Sequence, residues 1–421
     1  MSKNIGFIST RFAGTDGVTL EAGKWAQVLG QMGHQCFWFA GQLDKAPNKS
    51  MLVPEAFFQH EQNQWINNRI IGKKARSSEV TDKIHSLKIL LKNRIKEFIE
   101  KFSIDLLVPQ NALTIPMNVP LGIAITEIIA ETQIPTIAHH HDFYWERTRF
   151  AVSAVGDYLR MSFPPNLPNM EHVVISSAAQ EELALRTGIA SIIIPNILDF
   201  DNPLRVDKEK TLNLRRSIGL NTDDIMILQP TRIIQRKGIE HAIELVKDLQ
   251  DPRCKLVISH EAGDEGFEYA EWLKAEAQES GVDLRFLGMS MRDPWNELDG
   301  IKSEYTLFDV YPCADFVTYP SLYEGFGNAF LEAVYCKKPM LINRYATFVR
   351  DIEPKGFDLI AMDGFLTQKT VQRVKEVLSS SELKEKMVNH NYKVATRYYS
   401  YAVLKRWLNT LMTNFFGMEA Q

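Results

Sequence analysis

Short apolar runs, each followed by a glycine-rich or polar loop and then by a stretch of helical period, recur along the whole chain. Residues 4–9 (NIGFIS) predict a buried strand, Gly14 and Gly17 fall in the loop after it, 18–32 predict a helix, and 34–40 (HQCFWFA) predict the next strand. Strand, glycine loop, helix and strand in that order open a parallel, doubly wound sheet. A long charged helix is predicted over 77–102, with Ile84, Leu87, Ile89, Leu90, Leu91, Ile95 and Phe98 as its apolar face. Further strands are predicted at 104–110, at the start of 134–147, from 172 and from 191, with a helix near 116–131. Pro195, Asn196, Asp199 and Pro203 mark 195–205 as a linker. The alternation then restarts, with strands predicted at 225–231, 254–260, 283–288, 314–321 and 338–344. Two successive α/β halves predict two facing Rossmann-like, doubly wound parallel sheets with a cleft between them. Ligands of such sheets bind beyond the carboxyl ends of the strands, so chemistry is sought in the loops that follow strands.

One such loop reads YEGFGNAFLEA at 323–333, with Glu324 ahead of a Gly325-Phe326-Gly327 turn and Glu332 inside the helix that the turn opens. Glycines before a helix N-terminus expose backbone N–H groups and a partial positive charge, which suits a phosphate. Carboxylates would repel that phosphate and instead accept hydrogen bonds from hydroxyls. A phosphate joined to a hydroxyl-rich group describes a nucleotide sugar. A second loop, TRIIQRKG at 231–238, places Arg232, Arg236 and Lys237 ahead of a helix. Arg232 as a fork and Lys237 as a point charge suit a diphosphate, although loop cations also serve simply as solvated charge.

Composition narrows the class. The 421 residues are 45% hydrophobic and 24% charged, too many for one core. A net charge of −4 does not indicate nucleic-acid binding. The four cysteines, Cys36, Cys254, Cys313 and Cys336, are scattered, which points to a reducing cytoplasm. The sequence shows no run that predicts a membrane-spanning helix and no signal peptide.

Three segments together resemble a known family: R-x4-KG at 232–238, PSLYEGFGNAFLEA at 320–333 with its E-x7-E spacing, and VISSAAQEEL through IPNILDFD at 174–201. They look like the retaining nucleotide-sugar glycosyltransferases of family four, which have the two-domain GT-B fold. The resemblance runs through most of the chain and is most specific in the second half. It implies an N-terminal acceptor-binding domain at 1–198, a nucleotide-sugar donor domain at 199–398, and a helix at 399–421 returning to the first domain. It implies a UDP- or GDP-hexose donor, with Arg232 and Lys237 on the diphosphate, Glu324 near the donor sugar, and Glu332 on the ribose. Gly325, Phe326, Gly327 and Asn328 would form the turn touching sugar and phosphate, and Gly17 would lie near the phosphates. Catalytic roles are implied for Glu324, Arg232, Lys237 and a histidine at the end of the 134–141 strand. His141 fits that place best, with His140 as the alternative. No cofactor is needed for the chemistry, and Mg2+ is allowed but not called for.

The triplet His139-His140-His141 lacks the spacing of a zinc site, since alternate strand residues face opposite ways and only His139 and His141 share a side. Acceptor-facing residues are expected at Thr15, Asp16, His140, Trp145 and Arg147, the last two suiting a sugar ring and an anionic group. The acceptor is therefore expected to be a small molecule, anionic in one version, of glycerate or sugar type. Three segments depart from the family pattern: VISHEAG at 257–263, Lys338 before Pro339, and Asn343-Arg344-Tyr345-Ala346 in place of a glycine turn. A nucleotide-sugar epimerase, a glycosidase and a non-catalytic nucleotide-sugar-binding protein are the rival classes. The aromatic end, 398–416, must bury Tyr401, Leu404, Trp407 and Leu408, against the first domain or in a homodimer.

Overall fold

The computed structural model describes residues 2–14, 16–260, 267–287 and 305–417. The chain falls into two compact units, one formed by Met1–Pro195 with Leu404–Gln421, the other by Asn196–Pro294 with Asp299–Val403. The division falls at 195/196 and again at 403/404, inside the last helix, Tyr401–Phe416.

The first unit holds a seven-stranded sheet in the order β3-β2-β1-β4-β5-β6-β7, every pair parallel. Its strands are β1 (Asn4–Ile8), β2 (Gln35–Ala40), β3 (Ser50–Leu52), β4 (Leu106–Pro109), β5 (Thr136–His140), β6 (Met170–Val174) and β7 (Ile192–Ile193). Strand order reverses between β1 and β4, so two loops diverge there. The long helix Ser78–Phe102 buries Ile84, Leu87, Leu91, Ile95 and Phe98, a strict 3.6-residue stripe, against this sheet's core. Ile89 was expected in that stripe but lies 54% exposed, because it sits two residues off the stripe's line. In the last helix Leu404 and Leu408 are buried as expected, whereas Trp407 is 38% exposed. The Lys3 ammonium lies 4.4 Å from the Phe416 ring centroid, tying that helix to the start of β1.

The second unit holds six parallel strands in the order β10-β9-β8-β11-β12-β13. They are β8 (Ile225–Gln229), β9 (Cys254–Ile258), β10 (Leu284–Phe286), β11 (Phe316–Tyr319), β12 (Met340–Asn343) and β13 (Ile360–Met362). Order reverses here between β8 and β11. β3 and β13 are edge strands of three residues that hydrophobic runs did not reveal, since too few positions carry the pattern. Among the described residues, no helix is long and apolar enough to cross a membrane.

Candidate functional site

In the second unit the loops after β8 and β11 lie side by side, because their strands pair at the point where the order reverses. Three links hold the loops together. The Leu322 N–H donates to the Arg236 carbonyl at 2.9 Å, the Arg236 guanidinium donates to the Tyr323 carbonyl at 2.9 Å, and the Lys237 ammonium bonds the Glu324 carboxylate. Arg236 also stands 3.4 Å from the second Glu324 oxygen. Gly238, at φ +59°, permits this approach: a Cβ there would meet the Pro320 carbonyl oxygen at 2.6 Å.

Burial acts to raise the Glu324 carboxyl, but Lys237 and Arg236 outweigh it and hold the group below the ordinary glutamate range. Burial pulls the Lys237 ammonium down, with Glu324 opposing. Glu324 is thus an ionised carboxylate whose charge keeps a buried cation in place. Arg232 is exposed and, among the described residues, its guanidinium has no hydrogen-bond or ion-pair partner. Beneath these loops a buried chain runs from Thr318 through Gln229 to Thr231, each link 2.8 Å.

The helix Asn328–Tyr335 starts from Gly327, and no side chain caps its first N–H groups. Gly327 has φ +116°, and a Cβ on it would lie 2.2 Å from the Tyr345 hydroxyl. That hydroxyl donates to the Phe326 carbonyl at 2.8 Å, Thr347 donates to the Glu324 carbonyl at 3.1 Å, and Asn343 donates to the Ser321 carbonyl at 3.0 Å. The segment Asn343–Thr347, singled out in the sequence only as a departure from pattern, is the brace of the whole turn. The Phe326 ring is buried against Tyr399 and only its backbone belongs to the turn. Asn328 accepts from Asn196 at 2.6 Å. Glu332 accepts from the Tyr311 hydroxyl at 2.9 Å. Glu324 and Glu332 thus have separate partners. His260, beyond β9, is held neutral, down to about 4, by burial and by Arg232 and Lys237. Residues 261–263, where another departure from pattern was noted, lie outside the described residues.

In the first unit the corresponding residues surround the ends of β1, β4 and β5. Asp16 caps the helix Gly17–Gln31, accepting from Val18 and Thr19 N–H at 3.1 and 3.2 Å and from the Thr19 hydroxyl at 2.6 Å, and it pairs with Arg11 at 3.1 Å. Gly17 is the exposed first residue of that helix; Thr15 lies outside the described residues. His139 and His141 share a side, their ring centroids 4.3 Å apart, and His139 stacks on Trp25 at 4.2 Å. The His141 ring Nε2 stands 3.0 Å from the Gln110 side-chain oxygen, and the His141 backbone N–H donates to the Asn111 side-chain oxygen at 3.0 Å. Burial, with a smaller push from Lys24, lowers its imidazole to about 4 against the pull of Asp142 and Asp16.

Three of the residues expected to face the acceptor have partners of their own in this unit. His140 points to the opposite side, bonded to His172 at 2.8 Å inside the sheet, because alternate strand residues face apart. Trp145 stacks on Phe143 at 4.5 Å with Arg186 over its ring, so it is part of a small core and not an open platform. Arg147 is already paired with Asp142, through Nε at 2.5 Å and a second contact, which occupies the guanidinium that an acceptor anion would need. Among the described residues no group of His, Cys, Asp and Glu is arranged to hold a metal ion.

With this geometry in view, comparison with known proteins is decisive for the family. The glycosyl transferases group 1 family model matches residues 210–394, the span of both loops. The chain is 31% identical to mannosylglucosylglycerate synthase of Thermotoga maritima, covering 91% of this chain and 94% of that protein. The chain belongs to the group 1 glycosyl transferases. The Petrotoga mobilis mannosylglucosylglycerate synthase is 32% identical over 85% of this chain and 86% of its own. Solved structures with the same fold include a Rickettsia africae glycosyltransferase, with a TM-score of 0.68 at 12% identity over 99% of both chains. The Anabaena protein HepE, solved with UDP and glucose, has a TM-score of 0.66 at 12% identity over 98% of this chain and all of its own. This group 1 enzyme is therefore a glycosyltransferase with the GT-B fold, two parallel-sheet α/β domains.

Proposed function

We propose that this glycosyltransferase is a retaining enzyme of family four that moves a hexosyl group, mannose first, from a UDP- or GDP-sugar to a hydroxyl of a glucosylglycerate-like acceptor. One observation carries the donor side: an unpaired Arg232, a buried Lys237 and an uncapped helix N-terminus meet where the strand order of the second sheet reverses. Extensive identity with two mannosylglucosylglycerate synthases supports the choice of sugar and acceptor.

In this reading Arg232, Lys237 and the N–H groups at Gly327–Asn328 receive the diphosphate. They stabilise the negative charge that builds on it as the anomeric C–O bond breaks. Glu324, with one oxygen near Arg236, would accept from a donor-sugar hydroxyl, and Glu332 from the ribose hydroxyls. His141, held neutral, presents its remaining ring nitrogen to a sugar hydroxyl. The acceptor oxygen attacks the face that the diphosphate leaves, and its proton passes to the departing phosphate oxygen. The epimerase, glycosidase and pure-binding readings lack a comparable observation; separate partners for Glu324 and Glu332 speak against paired carboxylates flanking one bond.

The test is a panel of UDP- and GDP-hexoses against glycerate, glucosylglycerate and simple glucosides, with products read by NMR. Transfer to glucosylglycerate with the donor's α-configuration kept is expected, and Arg232→Ala should cut kcat/KM about a hundredfold or more, in the range of losing one charge-stabilising donor. An inverted product, or release of free sugar as the sole product, would overturn the reading.

A further inference from the structure

Among the described residues, His260 is the imidazole of the second unit that two cations, Arg232 and Lys237, bear on. It follows β9 directly, and the backbone N–H of its neighbour Ser259 donates to the Gln229 carbonyl at the end of β8, at 3.3 Å. That bond sets residues 259–260 level with the start of the loop carrying Arg232 and Lys237. Ser259 is wholly buried, and its hydroxyl lies 2.9 Å from His260 Nδ1, which fixes the ring's orientation. Among the described residues, Arg232 and Lys237, both after β8, are the charged groups that bear on the ring; Glu324, after β11, is taken up by Lys237.

An imidazole beside two like charges gains nothing in the empty protein by carrying a proton, and it stays neutral. A diphosphate on Arg232 and Lys237 would reverse the sign of the local field. We propose that His260 is a third phosphate-contacting side chain of the donor site, taking up one proton from solvent as a nucleotide sugar binds. This rests on the reading of Arg232 and Lys237 as the diphosphate site. The proton adds to a ring nitrogen lone pair, so both nitrogens become donors. Nδ1–H then donates to the Ser259 hydroxyl, and Nε2–H is left for a phosphate oxygen. A hydroxyl both donates and accepts, so the Ser259 contact survives either state, which a fixed donor or acceptor would not allow. The imidazolium then adds positive charge where the leaving diphosphate becomes more negative.

The test is titration calorimetry with GDP-mannose and UDP-glucose, whose doubly esterified diphosphate has no group titrating near neutrality. Each is run in two buffers of different ionisation heat, with wild type, His260→Gln and Arg232→Ala. Wild type should take up close to one proton near pH 6, and its affinity should rise about four- to tenfold from pH 8 to pH 6, the span over which an imidazolium of ordinary or slightly raised value forms. His260→Gln should still bind, with no proton uptake and a flat pH profile. NMR of the His260 ring protons should show protonation on ligand addition at pH 6, an independent reading should the variant fold poorly. No proton taken up by wild type, or an equal number taken up by His260→Gln, overturns the inference alone. Equal affinity in Arg232→Ala and wild type would overturn the donor-site reading, and this inference with it.

Discussion

At the scale of single residues, two glycines and one ion pair account for the shape of the loops after β8 and β11. Gly327 combines a left-handed backbone with a neighbour that leaves no room for a Cβ. Gly327→Ala is expected to lose about 2–3 kcal/mol of stability, through strain at positive φ and the contact with Tyr345, and to raise the donor KM. Adding Tyr345→Phe removes the clashing oxygen and should recover part of the loss, leaving the backbone share; chemical denaturation of the single and double variants measures both. The E-x7-E and R-x4-KG spacings were legible in the sequence because each is a local pattern, complete within one loop and the start of the helix after it. What was not legible is that Glu324 meets Lys237 in the unliganded protein. Carboxylate and cation lie on loops 87 residues apart, and only the pairing of β8 with β11 brings them together.

At the scale of elements, the segment after β12 decides whether the donor turn is rigid. Asn343 donates to the Ser321 carbonyl and accepts from the Gly364 N–H, at 3.0 and 2.9 Å, joining the loops after β11 and β13. It is buried, so Asn343→Ala leaves both partners short of a hydrogen bond. A loss of about 2 kcal/mol is expected, with donor KM rising more than kcat falls, since the residue supports the turn without touching the reacting atoms. An unchanged KM would contradict that role. In the sequence this segment stood out only by lacking the glycines expected there. Periodicity located nearly all the strands, because parallel strands buried on both faces read as continuous apolar runs. It missed β3 and β13, edge strands too short to carry a pattern.

Across the whole molecule, buried histidines set how stability depends on pH. His141, His172 and His260 are each lowered to about 4, chiefly by burial, and burial also holds His139 and His140 well below the usual imidazole value. With folded values below the unfolded one, the unfolded chain binds more protons than the native chain as pH falls below about 6.5. Stability therefore rises with pH across that interval and is lost on acidification from about 6.5 toward 4. The thermal midpoint should fall between pH 7 and pH 5, and a saturating nucleotide sugar should offset part of the fall by favouring the folded state. A midpoint constant across that range would show that the histidines titrate alike in both states.

Taken alone, the sequence determined two doubly wound α/β halves and singled out the loops in which donor chemistry is proposed, with residue types suited to a diphosphate and to hydroxyls. Those features are local: a strand's period, a glycine before a helix, a carboxylate at fixed spacing. Only the tertiary structure decided which side chains are free to meet a ligand, because freedom depends on partners far along the chain. Arg232 is left unpaired while Arg147 is taken by Asp142; His141 stands at the end of β5 while His140 turns inward to His172. Neighbours supplied by other strands set each outcome.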